Sequence, residues 1–96
     1  MVKPATTAAK PYFVYIVRCT DNTLYTGIAV DVQARVKEHN SSPSGAKYTR
    51  ARRPVALVFA KRHGSRSDAL KAEYSIKRLS REQKNALISA AHMPSA

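Results

Sequence analysis

The chain has 96 residues, 44% of them hydrophobic, and 17 Lys and Arg against 6 Asp and Glu give a formal net charge of +11. A chain of this length holds one core and buries roughly 60–65% of the surface its unfolded form exposes, which excludes a multidomain machine or a large cofactor fold; the hydrophobic share excludes a disordered basic tail. The single Cys19 excludes an internal disulfide or a multi-thiolate metal site and points to a reducing compartment.

Residues 1–11 (MVKPATTAAKP) are small, polar and bracketed by Pro4 and Pro11, and read as a frayed arm. They lack the apolar centre of a signal peptide, and no run in the chain approaches the roughly 20 apolar residues that cross a bilayer, so a cytoplasmic location is expected. Tyr12–Arg18 is aromatic and β-branched, residues 20–23 (TDNT) supply a turn, and residues 24–28 (LYTGI) are strand-like again, which makes a hairpin. Both faces of the first strand are apolar, so it should lie centrally in its sheet. Asp31 is a candidate N-cap for a helix to about Asn40, ended by residues 41–45 (SSPSG). Residues 55–60 (VALVFA) form a third strand. Ser65 or Ser67 caps a second helix to about Leu79, and Ser80 with Gln83 makes a capping box for a last helix to about Ala91. The order ββαβαα predicts a small antiparallel or mixed three-stranded sheet flanked by helices, an α+β domain over residues 12–91 with a tail at 92–96.

The informative positions are polar residues where the pattern asks for apolar ones. Glu73 falls on the stripe Ala69, Ala72, Glu73, Ile76, which aims its carboxylate at the sheet; either an ion pair or a divalent metal would keep it there. Arg35 and His39 share an inward stripe with Val32 and Val36, so Arg35 is one candidate partner for Glu73, and His39 is either a satisfied core imidazole or part of a site. On the hairpin, a two-residue loop would point Tyr15 and Tyr25 to opposite faces. A loop of three or five residues puts both phenols on one face, so an odd loop is expected. Gly27, in the middle of a strand, signals close approach of another group or a bulge.

A surplus of this size on so small a body favours a polyanionic partner, and nucleic acid leads. A membrane surface would call for a basic amphipathic helix with an aromatic face, and the chain has no Trp and two Phe. Cations gather at residues 47–53, at Lys61 and Arg62, and at Lys71, Lys77, Arg78, Arg81 and Lys84. If they line one groove, affinity should fall steeply with salt. Lys47, Thr49, Arg50, Arg52, Arg53 and Lys77 are the candidate nucleic-acid contacts, with Tyr48 stacking on a base.

Phe13-Val14-Tyr15 and, ten residues after Tyr15, Tyr25-Thr26-Gly27 resemble the two motifs of the GIY-YIG endonuclease family, in its short stand-alone form. The resemblance spans about residues 12–88; Phe13 stands for the first Gly and Thr26 for Ile, neither of which is a reacting group. Arg35, His39 and Glu73 fall where the family carries its arginine, histidine and metal-binding glutamate. The resemblance implies metal-dependent endonucleolytic hydrolysis of DNA, with RNA as an alternative substrate; no membrane partner is expected, and a protein partner is allowed for but not indicated. Tyr15, alone or through Tyr25, would activate water, Arg35 would balance charge on the phosphoryl oxygens, and His39 would orient a group or shuttle a proton. Glu73 would hold one Mg²⁺ or Mn²⁺. The competing expectation is a basic nucleic-acid-binding module that keeps the fold and does not cut.

Overall fold

The computed structural model describes residues 10–41 and 46–90. The predicted arm up to residue 9, the loop at 42–45, and the expected last helical residue and tail at 91–96 lie outside the described residues. The chain runs β1 (Tyr12–Arg18), β2 (Leu24–Ala29), α1 (Val32–Ser41), α2 (Lys47–Arg50), β3 (Ala56–His63), α3 (Arg66–Lys77) and α4 (Arg81–Ala90). The sheet is antiparallel in the order β2-β1-β3, with β1 in the middle as its apolar sequence predicts.

Each helix start has a local cause. Asp31 Oδ1 accepts the Ala34 N–H at 3.0 Å, and Ser65 Oγ accepts that of Asp68 at 3.1 Å, so Ser65 and not Ser67 caps α3. At α4 the capping box closes in both directions, Gln83 N–H to Ser80 Oγ and Ser80 N–H to Gln83 Oε1. In the hairpin loop Asp21 Oδ1 accepts from Thr23 N and Thr23 Oγ1, and Asn22 takes φ 70°, a left-handed conformation that asparagine tolerates.

Two elements depart from expectation. β3 continues past residue 60 through the exposed Lys61 and Arg62 to His63, because an edge strand keeps its outer side in water and accepts charge. The short α2 interrupts what reads as loop; four residues carry no apolar period to detect.

The central strand divides the core in two. Tyr15, Val17 and Cys19 face Val32 of α1 and Val55, while Val14 and Ile16 face Phe59 and Ile76, backed by Leu87 and Ile88 of α4. A register shift between Ile16 and Val17 on the β1–β3 side lets Leu57 serve the first face and Phe59 the second, although their numbers differ by two. Among the described residues no helix is long and apolar enough to cross a membrane.

Candidate active site

The register pairs Tyr15 with Gly27 and Val17 with Tyr25, around a five-residue loop between Arg18 and Leu24. This is the odd loop that parity demands, and it puts both phenols on the α1 side of the sheet. Gly27 lies against the phenol: a β-carbon there would come within 2.7 Å of Tyr15 Oη. Its role is the close approach anticipated from sequence; the β1–β2 ladder has no bulge.

Tyr15 is 1% exposed and His39 fully buried. Tyr15 Oη lies 2.8 Å from His39 Nε2, and His39 Nδ1 lies 2.8 Å from Thr49 Oγ1. Tyr25 stands edge-on to the imidazole with ring centroids 5.3 Å apart. Burial pushes the Tyr15 phenol up to about 12, opposed by a hydrogen bond from the Arg35 guanidinium and reinforced by Tyr25 and the Glu73 carboxylate. The same phenol therefore feels His39, Arg35, Tyr25 and Glu73, from three different elements.

Burial also holds the His39 imidazole below its ordinary value, helped by the Arg35 and Arg53 charges and resisted by Glu38. Near neutral pH the imidazole is uncharged and able to accept. The unfolded imidazole takes up a proton near about pH 6.5 that the folded one refuses, so its contribution to stability is present above that pH and lost as pH falls toward the lower folded value. Urea unfolding at about pH 7.5 and about pH 5.5 should show wild type losing more stability than His39→Gln over that step; equal losses would contradict the assignment.

Arg35 and Glu73 do not form the ion pair that the sequence left open. Each finds a partner on its own helix, Arg35 Nη1 with Glu38 Oε1 at 2.7 Å and Glu73 Oε2 with Lys77 Nζ at 3.2 Å, because side chains three or four residues apart are already neighbours. Glu38 is half-exposed. Among the described residues no three His, Cys, Asp or Glu gather around one point. A single carboxylate still suits Mg²⁺, which keeps most of its water and is commonly completed by substrate phosphate. Glu73 is one-fifth exposed, and its counterion Lys77 is more than half exposed and able to swing away.

The segment 47–53, expected to grip nucleic acid, also has structural roles. Thr49 is fully buried and its hydroxyl faces His39. Arg53 Nε donates to the His39 carbonyl and ties down the end of α1. Arg52 bonds Asp21 at 3.0 Å and the Tyr48 carbonyl at 2.7 Å, and its guanidinium lies 4.0 Å from the Tyr48 ring centroid. Tyr48 also stacks on Tyr25, with centroids 5.9 Å apart, so its ring lines the site while remaining exposed. Lys47 and Arg50 remain exposed, and Lys77 is engaged by Glu73. What sequence reasoning missed is Thr49 as a partner of His39; a single turn from Ala46 to Thr49 that brings a hydroxyl inward leaves no periodic signal.

Comparisons with known proteins fit this arrangement. Residues 11–86 match the profile of the GIY-YIG catalytic domain. The chain is 54% identical to a UPF0213 protein of Desulfotalea psychrophila over 79 residues, 82% of this chain and 72% of that one. It is likewise 54% identical to a UPF0213 protein of Staphylococcus aureus, covering 80% of this chain and 93% of the other. The solution structure of a UPF0213 protein of Bacillus halodurans superposes with a TM-score of 0.57 at 43% identity over 88% of each chain. The solution structure of a protein from E. faecalis gives 0.56 at 32% identity over 91% of this chain and 95% of that one.

Proposed function

Because the chain belongs to the GIY-YIG catalytic-domain family, a nuclease-type family, we propose that it is an endonuclease hydrolysing phosphodiester bonds in DNA with one Mg²⁺ or Mn²⁺, favouring single-stranded or branched substrate. The observation that carries this reading is the Tyr15 phenol, 2.8 Å from His39 Nε2 and under the influence of Arg35 and Glu73 together.

The chemistry follows from those groups. A phenol pushed up to about 12 is too rarely ionised to work as a standing phenolate base. The imidazole beside it is uncharged and accepts, so Tyr15 acts as a relay: as the attacking water gives a proton to Tyr15 Oη, the Tyr15 proton passes to His39 Nε2. One proton enters the phenol and one leaves it, and no phenolate accumulates in the buried site. The Arg35 guanidinium offsets negative charge growing on the phosphoryl oxygens. Glu73 is the residue that would hold the dication. When bound, the dication polarises a phosphoryl oxygen and steadies the departing 3′ oxygen.

The preference for unpaired strands rests on Tyr74, which sequence analysis did not single out. It follows Glu73 on α3 and is 64% exposed. Arg78 Nη1 donates to its hydroxyl at 2.9 Å, and exposed Lys71, Lys77 and Arg78 surround it on the same helix end. The Arg78 guanidinium lies over the ring, 5.4 Å from its centroid, and an exposed ring among cations is a platform for an unpaired base beside a backbone-tracking charge ridge.

The test offers labelled single strands, duplexes, flaps, junctions and RNA, with Mg²⁺ or Mn²⁺. Wild type should cut, and Glu73→Ala should abolish cleavage while leaving binding and folding intact. Full activity in Glu73→Ala would refute its role. Binding without cleavage by wild type in either metal would make the chain a non-catalytic nucleic-acid-binding module.

A further inference from the structure

We propose that Thr49 is the positioning residue that fixes the tautomer of His39, so that the imidazole presents a lone pair, and not a proton, to Tyr15; this rests on the relay reading of the site. Thr49 Oγ1 lies 2.9 Å from the Ala46 carbonyl and 2.8 Å from His39 Nδ1. A carbonyl oxygen can only accept, so the one hydroxyl proton of Thr49 goes to Ala46. The contact with Nδ1 is then a hydrogen bond only if Nδ1 carries the proton and donates it. A neutral imidazole protonated at Nδ1 has a bare Nε2, and that is the nitrogen 2.8 Å from Tyr15 Oη.

The hydrogen bonds therefore run one way: Tyr15 Oη–H to His39 Nε2, His39 Nδ1–H to Thr49 Oγ1, and Thr49 Oγ1–H to the Ala46 carbonyl. Reversing the first link leaves the buried Tyr15 hydroxyl without an acceptor among the described residues, which costs more than a hydrogen bond gains; the Ala46 carbonyl also accepts from Thr49 N–H and Arg50 N–H and does not depend on the Thr49 hydroxyl. With the opposite tautomer Nε2–H would point at the phenol oxygen, and the proton of Tyr15 would have no acceptor.

The rest of α2 holds Thr49 at this depth. Arg52 ties its end to the β1–β2 loop through Asp21, the Arg52 carbonyl accepts from Thr20 N–H at 3.0 Å, and the Thr49 carbonyl accepts from Arg52 N–H at 2.9 Å. A one-turn helix with no buried apolar side chain of its own buries this one threonine.

Two readouts test the assignment, one independent of catalysis. In protein labelled with ¹⁵N-histidine, long-range proton–nitrogen spectra near neutral pH should show wild-type His39 protonated at Nδ1. Thr49→Ser should keep that tautomer, and Thr49→Val, of similar shape without the hydroxyl, should shift it toward Nε2–H. In the cleavage assay Thr49→Val should lower kcat about tenfold, the size of one neutral hydrogen bond, with KM little changed, and Thr49→Ser should restore most of the rate. An Nε2–H tautomer in wild type overturns the proposal, whether or not the Val variant folds. So does a Thr49→Val protein with unchanged tautomer and full rate. Wild type that cuts nothing sinks the endonuclease reading alone, because the wild-type spectrum still decides what Thr49 does.

Discussion

Tyr15→Phe is expected to lower cleavage by about 10²–10⁴-fold, the usual contribution of a positioned proton-transfer group, while substrate binding stays near wild type. The ring is retained, so the packing of Tyr15 with Val17, Cys19 and Val32 survives. Stability should nonetheless fall by about 1–3 kcal/mol, because the buried His39 Nε2 loses its donor. A tyrosine that merely packed would lose neither rate nor stability on this exchange. Single-turnover cleavage with saturating metal, alongside urea unfolding, measures both. A variant with normal stability and normal rate would show that the phenol proton is not in use. One that is destabilised but fully active would leave the hydrogen bond structural and remove Tyr15 from the relay.

The sequence was readable wherever a period or a cap carried the signal. β1 is central because both its faces are apolar, and that alone fixes the sheet order and the two-sided core. Loop parity placed Tyr15 and Tyr25 on one face, and the inward stripe of α1 placed Arg35 and His39 against it. What sequence could not supply was direction within the site. Charge counting makes Arg35 a candidate partner for Glu73, but neighbours on the same helix are nearer and take both. Counting also makes every cation of residues 47–53 a candidate for phosphate. The difference between Lys47 or Arg50 and the hydrogen-bonded Arg52 or Arg53 depends on two acceptors, Asp21 and the His39 carbonyl, that are far away in the chain. Thr49 was invisible as a partner of His39 for the same reason: its role depends on a tertiary contact ten residues away in sequence.

Gly27→Ala should be as damaging as loss of the phenol itself, through geometry instead of chemistry. The Gly27 backbone has no positive φ, so alanine is allowed by conformation and would ordinarily strengthen a strand. Space decides against it. The new β-carbon would meet Tyr15 Oη at 2.7 Å, Cζ at 2.9 Å and Cε2 at 3.2 Å, and a ring that is 1% exposed has nowhere to swing. Either the phenol leaves His39 or the two strands part. The expected result is a loss of about 1–3 kcal/mol from overpacking together with a fall in kcat comparable to that of Tyr15→Phe. A double-mutant cycle separates this clash from a general defect in β2. With Phe at 15 the nearest contact, Oη, is gone, so Gly27→Ala should cost less there than in wild type. Equal costs in the two backgrounds would mean that the glycine serves something other than the seat of the phenol.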